Sequence, residues 1–288
     1  DKSKTSKSKG NIIVPETLLA QHGTDVVRYW SASSKLGSDT AYSEEAVKNG
    51  QRLVNKLWNA AKFVSQHFDK IPEQDKALTL DQLQDKICCD FDQYFLSELA
   101  NVVADSTKAF EQYEYADAMD RIEQFFWSSF CDNYLEITKV RTYGEEHGNE
   151  AETLSARLTL YHSLKIMLQL FAPFMPYITE ELYQALYAKT SIHARGTWPS
   201  LKADFNADKE QAENLLAVLD LVRKIKAQDN LSIKAPISLI EVEGGKMSKS
   251  LMSDLKYVTS TDNLKFVEKL SSNAQELAAG KIKINVIY

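Results

Sequence analysis

The sequence predicts a mainly α-helical protein that carries a small α+β domain at its C-terminal end. Apolar residues recur every three or four positions as far as Ile225, which is the spacing of one face of an α-helix. From Ile233 to Val242 they alternate instead, as the residues of a half-buried strand do. A further helix over 248–258 and strands over 264–267 and 282–287 complete the expected α+β arrangement.

Composition limits the classes of protein that this chain can represent. Its 288 residues, of which 44% are hydrophobic, suffice for two or three domains with cores. A net charge of −6 means that any RNA contact must come from a local basic patch. The three cysteines have neither metal-ligand nor disulfide spacing, which predicts no metal site and a cytoplasmic location. Neither a signal peptide nor a long apolar run is seen, so no membrane contact is expected.

Helix starts are marked by proline or by capping residues. Pro15 predicts the beginning of a short helix that ends at Gly23, and a second helix is expected over 25–33. Ser43, which two glutamates follow, predicts the N-cap of a long helix. The apolar stripe expected to face the core on that helix consists of Val47, Gly50, Val54, Leu57, Ala61, Val64 and Phe68.

The opposite side of this long helix carries cations, an amide and an aromatic ring. Roughly 180° from the stripe lie Arg52, Lys56, Asn59 and Phe63, with Lys62 flanking them. This composition suits tRNA binding, because the ring can stack on an unpaired base while the cations hold phosphate or base edges. Alternatively, the helix packs on both sides and Phe63 belongs to the core. The residues alone leave both interpretations open.

Further helices are predicted between the long helix and the strands. They are expected over 81–112, 115–139 and 154–168, from about residue 174, and after a cap at Asn206. The aromatic residues over 126–134 are expected to be core, because their spacing is that of helix packing. Lys139, Arg141 and Tyr143 follow near a helix end, where they either contact RNA or form a solvated last turn.

The N-terminal segment is a basic loop of small residues. It reads Lys4, Thr5, Ser6, Lys7 and Ser8, and a Gly-Asn turn follows at 10–11. A loop with many donors and little bulk suits a mobile lid over polyphosphate, in which ammonium groups offset the charge that develops during nucleotidyl transfer. Composition alone favours the alternative, a frayed basic terminus.

Several segments of the chain resemble class I aminoacyl-tRNA synthetases. They are the lysine loop over 4–8, the word Asn-Ile-Ile-Val-Pro over 11–15 and the word Gly-Thr-Asp-Val-Val-Arg-Tyr-Trp over 23–30. The signature loop of the family reads Lys-Met-Ser-Lys-Ser, so Thr5 replaces methionine while both lysines are kept. The words Leu-Gly-Ser-Asp-Thr over 36–40 and Asn-Lys-Leu-Trp-Asn-Ala-Ala-Lys-Phe-Val over 55–64 resemble the valine-specific branch in particular.

The resemblance implies the C-terminal part of an ATP-dependent enzyme that attaches valine to its tRNA. Lys7 would contact ATP and stabilise the charge of the leaving pyrophosphate, and Lys4 would assist it. The implied partner is valine tRNA, held at its anticodon and its inner corner. ATP with magnesium is expected in the complete enzyme, whereas this chain alone is expected to be a monomer without a bound cofactor and without catalytic activity.

The implied domains are a signature-loop and connecting segment over 1–42, a helical anticodon-binding bundle over 43–200, and the α+β domain over 206–288. One alternative is the equivalent region of the isoleucine-specific branch, and another is a helical RNA-binding module without catalysis. Residues 246–250 spell Lys-Met-Ser-Lys-Ser letter for letter, but no Gly-Asn turn follows them. This second match is interpreted as chance.

Overall fold

The computed structural model describes residues 14–144, 149–202, 205–271, 277–279 and 281–288. The lysine loop predicted over 4–8 therefore lies outside the described residues. The helices are α1 Pro15–His22, α2 Thr24–Ala32, α3 Glu44–Ser65, α4 Glu73–Lys76, α5 Asp90–Glu111, α6 Tyr115–Gln124, α7 Leu135–Tyr143, α8 Glu150–Phe171, α9 Pro176–Leu186, α10 Lys209–Gln228 and α11 Lys249–Thr259. The strands are β1 Leu239–Glu243, β2 Leu264–Val267, β3 Leu277–Ala279 and β4 Ile282–Ile287. The predicted fold class, mainly α with a small α+β part, is confirmed.

The chain divides into two compact units, each of which is assembled from separate stretches of sequence. The first unit consists of Asp1–Pro72, Leu99–Trp127 and Leu160–Lys202. The second unit consists of Glu73–Glu98, Ser128–Thr159 and Ala203–Tyr288. The domain boundaries expected from the sequence, at 42/43 and at 200–206, stay a prediction.

In the first unit, side chains of α2 hold the beginning of α9. The Asp25 carboxylate accepts hydrogen bonds from the backbone N–H groups of Tyr177 (3.1 Å) and Ile178 (2.7 Å). These donors belong to the first turn of α9, where a helix offers them no internal partner. The Arg28 guanidinium donates to the carbonyl oxygen of Pro173 at 2.7 Å. Helix α2 is therefore joined to the beginning of α9 by polar contacts, and those of Asp25 cap that helix.

Helix α3 begins at its predicted cap, where the Ser43 hydroxyl accepts a hydrogen bond from the Ala46 N–H at 3.1 Å. Its buried residues are Val47, Gly50, Leu53, Leu57, Ala60, Ala61 and Val64. The predicted stripe was thus too narrow, because Leu53 and Ala60 are also buried, and it wrongly included Val54, which is only half-buried. The helix packs against both α2 and α9, so a wider face is covered than one stripe would need.

Two predicted helices have different limits in the structure. The helix expected over 81–112 begins only at Asp90, because two short 3-10 turns occupy most of the preceding residues. Leu83 and Ile87 are nevertheless fully buried, so their helical spacing reflected burial rather than a helix. The helix expected over 115–139 extends to Tyr143 and is π-helical over Phe125–Tyr134. Apolar periodicity does not separate α- from π-helix, since their hydrogen-bond spacing differs by one residue.

The sheet of the second unit has the strand order β2-β1-β4-β3. β1 is parallel to β2 and antiparallel to β4, and β3 is antiparallel to β4. Strands β2 and β4 have their predicted limits, whereas β3 was missed and β1 begins at Leu239 rather than at Ile233. The cap of α10 is Asp208 rather than Asn206, since the Asp208 carboxylate accepts from the Gln211 N–H at 3.1 Å.

A buried lysine explains why the segment before β1 is a loop. The Lys226 ammonium donates to the carbonyl oxygens of Ile233 (2.7 Å), Ala235 (2.7 Å) and Thr259 (2.9 Å). Carbonyl groups that are used in this way are not available to a neighbouring strand. The alternation of apolar residues over 233–238 therefore did not produce a strand.

Replacing Lys226 by methionine is expected to lower the free energy of unfolding by roughly 1–3 kcal/mol, because the three carbonyl groups lose a charged donor. Urea denaturation of the chain measures this loss. The matched control is Lys224→Met two residues earlier, where the ammonium lies at the surface, 2.7 Å from Asp220. We expect the control to change stability by less than about 0.5–1 kcal/mol. Equal losses in the two variants would contradict a role for the three hydrogen bonds.

The sequence suggested that Arg141 either contacts RNA or lies in a solvated last turn of a helix, and the structure shows neither. It is buried in the second unit, where its guanidinium donates to Asp92 at 2.8 Å and to Asp254 at 2.7 Å. Desolvation lowers the pKa of Arg141, but the two carboxylates offset this effect and hold the pKa well above its ordinary value. The residue therefore carries a structural charge rather than contacting RNA or solvent.

Candidate nucleic-acid interface

Helix α3 carries all five residues that the sequence suggested for tRNA contact. Arg52, Asn59 and Lys62 are exposed, whereas Lys56 and Phe63 are half-buried. Because α3 is regular from Glu44 to Ser65, positions three and four apart lie next to each other on its surface. The structure thus brings the five side chains onto one side of a single rigid element, although two of them are partly covered. We refer to these five residues as the α3 face.

A network within the first unit fixes the position of Lys56. Its ammonium lies 5.3 Å from the centroid of the Trp127 ring, which is a cation–π distance. The Trp127 indole N–H donates to one Glu123 oxygen at 3.2 Å, and the Tyr29 hydroxyl donates to the other at 2.8 Å. The Glu123 carboxylate, which accepts both hydrogen bonds, therefore orients the Trp127 ring beneath the Lys56 ammonium.

The pKa shifts in this network have one main cause, which is burial. Desolvation raises the pKa of the Glu123 carboxyl, while the hydrogen bonds from Tyr29 and Trp127 act in the opposite direction. Burial and the Glu123 carboxylate raise the pKa of the Tyr29 hydroxyl, so this group stays a donor at neutral pH.

Phe63 occupies a position between the two alternatives that the sequence left open. Its ring contacts His67 edge to face, with 5.5 Å between the ring centroids and 70° between the planes. The side chain is only partly covered, so part of the ring is accessible at the surface. The stacking role of Phe63 stays a prediction, and the partial burial implies that its removal also affects stability.

The sequence analysis missed one aromatic residue of α3. Trp58 is 50% exposed and precedes Asn59 directly. The only signal for it was its position in the helix, about 100° from the buried Leu57. Apolar residues next to a core stripe usually belong to the core, and the sequence alone does not distinguish Trp58 from them. An exposed tryptophan close to cations is a second surface on which a base could stack.

An open cavity of about 430 Å³ lies in the first unit, lined by residues of α2, of α9 and of the loop after α9. Its lining includes Thr24, Arg28, Tyr177 and His193. Tyr177 is 66% exposed, whereas His193 is held by the carbonyl oxygen of Pro176 at 3.2 Å from its Nε2. His193 lies at the surface.

The part of the chain that the structure describes shows neither a metal-binding cluster nor a membrane-spanning helix. No group of three or more His, Cys, Asp or Glu residues there has an arrangement that could hold a metal ion. Within the same residues, no helix has the length and hydropathy that a membrane span requires.

A family match covers a later part of the chain than α3, which ends at Ser65. A family model described as the anticodon-binding domain of tRNA ligase matches residues 92–242, which is more than half of the sequence. The chain belongs to this family of anticodon-binding domains. A second model, described as tRNA synthetases class I (I, L, M and V), matches residues 1–43.

Relatives that are 52–56% identical to the chain are called valine--tRNA ligase. That of Rickettsia felis is 54% identical over 288 residues, which is 100% of this chain and 32% of the relative. That of Rickettsia prowazekii (strain Madrid E) is 56% identical over 270 residues, or 93% of this chain and 33% of the relative. The chain thus spans about one third of the length of the curated relatives that it matches.

A solved structure resembles the chain in fold. It is the ternary complex of LeuRS, tRNA and LeuAMS from Agrobacterium radiobacter K84, with a TM-score of 0.53 and 18% sequence identity. The likeness covers 70% of this chain and 22% of that chain. At this level of identity, it is evidence for the fold alone.

Proposed function

We propose that this chain is the tRNA-reading C-terminal part of a valine--tRNA ligase, an enzyme that attaches valine to its tRNA at the expense of ATP. One observation carries the proposal. Along the whole chain, more than half of the residues are identical to those of relatives with that name. The isoleucine-specific alternative is less favoured, since these relatives are valine ligases. A helical module without any catalytic parent is less favoured for the same reason.

In this proposal, the α3 face reads the anticodon. Anticodon bases are unpaired, so they can be recognised by stacking and by hydrogen bonds to their edges. Phe63 supplies the stacking surface, and the Asn59 amide supplies both a donor and an acceptor for a base edge. Arg52, Lys56 and Lys62 hold phosphate groups or base edges. Lys56 is already oriented by the Trp127 ring, so little side-chain entropy is lost when it binds.

The lysine loop contributes to the active site of the complete enzyme. Lys7 contacts ATP and offsets the charge of the leaving pyrophosphate, while Lys4 assists. The proposal rests here on the resemblance and on the class I family model over residues 1–43. ATP with magnesium and valine are substrates bound mainly by the remaining two thirds of the enzyme. We further propose that the enzyme is cytoplasmic and monomeric.

A titration of the complete protein with valine tRNA tests the role of the α3 face. Phe63→Ala is expected to weaken binding by about 5- to 150-fold, which corresponds to the 1–3 kcal/mol of one base–aromatic stack. Lys62→Gln is expected to reduce the slope of log affinity against log salt by about 0.7, the contribution of one single-stranded phosphate contact. Affinity is expressed per folded molecule, because Phe63 is partly buried.

Phe63→Tyr is the matched control, because it keeps the ring and should bind nearly as well as the unmodified protein. A tRNA with an altered anticodon should bind weakly to the unmodified protein and lose little more with Phe63→Ala. If Phe63→Ala destabilises the protein while affinity per folded molecule stays the same, Phe63 is a core residue. The α3 face would then not read the anticodon through this ring.

A further inference from the structure

A second basic surface lies along α11 in the second unit. It is a shallow cavity of about 480 Å³, and its lining includes Lys249, Met252, Ser253, Lys256, Tyr257 and Ser260. Lys249 and Lys256 are seven residues apart, which places them on the same side of the helix with about 10 Å between their positions. We refer to this surface as the α11 groove.

The two lysines of the α11 groove differ from other lysines of the same unit. The ion pairs found among the described residues include neither Lys249 nor Lys256. In contrast, Lys224 lies 2.7 Å from Asp220, and Lys283 lies 3.4 Å from Glu243. Two ammonium groups without a carboxylate partner in the described chain are suited to hold the phosphates of a ligand.

The remaining lining adds an aromatic surface and polar groups. Tyr257 is 38% exposed and directly follows Lys256, so an unpaired base could stack on it while the neighbouring ammonium holds a phosphate. Ser260 ends α11 in the left-handed conformation (φ 60°), where glycine is the usual residue. A serine at this position brings a hydroxyl to the cavity. The Asp262 carboxylate, which also lines it, can accept a hydrogen bond from a ribose 2′-hydroxyl.

The opposite side of α11 is fixed firmly, so the groove is a preformed surface. Asp254 is fully buried and receives the Arg141 guanidinium at 2.7 Å, and Leu251 and Leu255 are buried beside it. Ser248 caps the helix through a hydrogen bond from the Leu251 N–H at 3.2 Å. Residues 246–250, which spell the signature loop, therefore form the beginning of this helix rather than a mobile lid.

We propose that the α11 groove binds a single-stranded stretch of RNA, with Lys249 and Lys256 on two phosphates and Tyr257 stacked on a base. The inference rests on the proposed function, because the RNA is then a second segment of the same tRNA. An acidic peptide would use the two cations but would leave the tyrosine ring and the ribose-binding carboxylate without a role. RNA is the ligand that uses all of these groups.

The test measures the affinity of the complete protein for valine tRNA over a range of salt concentrations. The double variant Lys249→Gln, Lys256→Gln is expected to bind about tenfold more weakly at low salt. Its slope of log affinity against log salt should fall by about 1.5, since each phosphate contact contributes about 0.7–0.9. The matched control, Lys224→Gln with Lys283→Gln, removes the same charge at lysines that are already paired. It should leave the slope unchanged.

Tyr257→Ala should weaken binding at least fivefold, and Tyr257→Phe should restore it, which separates stacking from helix stability.

Polyuridylate should compete with the tRNA for the groove, and polyglutamate should not. Equal slopes for the groove variant and the control, or equal competition by both polyanions, would overturn the inference. If only Phe63→Ala weakens binding, the proposed function stands and the α11 groove is not an RNA site. If the unmodified protein does not bind valine tRNA, both proposals fail.

Discussion

Replacing Arg141 by methionine is expected to lower the free energy of unfolding by about 3–5 kcal/mol, the usual loss when one partner of a buried ion pair is removed. Methionine has a similar length, so little packing is lost. The cost arises because Asp92 and Asp254, both fully buried, remain without their cation. Two buried carboxylates cannot stay ionised without a partner except at a large free-energy cost.

The position of Arg141 makes this loss larger than that of a surface pair. Its guanidinium connects α5 through Asp92 and α11 through Asp254 to its own helix α7. Asp92 also accepts hydrogen bonds from the Tyr134 hydroxyl at 2.7 Å and the Ser155 hydroxyl at 2.6 Å. Every donor in the cluster thus faces a carboxylate, and removal of the central cation disturbs all of them together.

Chemical denaturation at several pH values measures the effect and its origin. Burial raises the pKa of the Asp254 carboxyl to about 6 although Arg141 lowers it, and in the Arg141→Met variant this pKa should rise further. A group whose pKa is raised by folding stabilises the protein at low pH, and this contribution is lost as the pH rises. The deficit against the unmodified protein should therefore shrink as the pH falls from about 7 to about 5.

Lys139→Met is the control on the same helix. The Lys139 ammonium lies 3.6 Å from Glu136 in a pair that is partly exposed to solvent. Pairs of this kind contribute about 0–1 kcal/mol, and the control should show little dependence on pH over this range. A loss below about 1 kcal/mol for Arg141→Met, or a deficit that grows toward low pH, would contradict a structural role for the cluster.

Arg141 also shows where prediction from the sequence ended. A cation near a helix end is usually solvated, and nothing local distinguished this one. Its partners lie 49 and 113 residues away along the chain. Burial of a charge depends on such distant partners, so helical periodicity could identify α7 but not the buried cation near its C-terminal end.

Features that depend on neighbouring residues were predicted well. The cap of α3 at Ser43, the helix start at Pro15 and the limits of β2 and β4 follow from local chemistry. The predicted tRNA-binding residues likewise lie on one side of α3, because helix geometry alone brings them there. The cation–π contact between Lys56 and Trp127 joins two separate helices, and no spacing rule gives it.

The predicted start of β1 was also wrong because a buried cation was not recognised in the sequence. The alternating apolar residues from Ile233 onward fit a strand, but the carbonyl groups of this segment are held by Lys226. A lysine in the last turn of a helix is normally read as a surface residue that favours the helix dipole. Its burial became apparent only in the structure, and with it the reason why the strand begins six residues later.

In the complete enzyme, Lys7→Ala is expected to lower the rate of valyl-adenylate formation by about 10- to 1000-fold. This range is the loss seen when one donor to a transition-state charge is removed. In the proposed function the ammonium acts on charge that develops as pyrophosphate leaves, so kcat should fall while KM for valine barely moves. Valine-dependent pyrophosphate exchange, measured over a range of valine concentrations, separates the two parameters.

Lys246→Ala is a control from the literal copy of the signature loop, in which Lys246 corresponds to Lys4 and Lys249 to Lys7. The Lys246 backbone carbonyl accepts a hydrogen bond from Asn214 at 3.1 Å, and the Lys246 side chain is exposed. The substitution removes an equal charge from a sequence that resembles the lid but forms a helix start. Exposed positions of this kind tolerate change within about 0.5 kcal/mol, so the exchange rate should stay within about twofold. If Lys246→Ala lowered the exchange rate as much as Lys7→Ala, the catalytic loop would have been assigned to the wrong copy. If Lys7→Ala raised KM for valine at constant kcat, Lys7 would bind the substrate rather than the transition state.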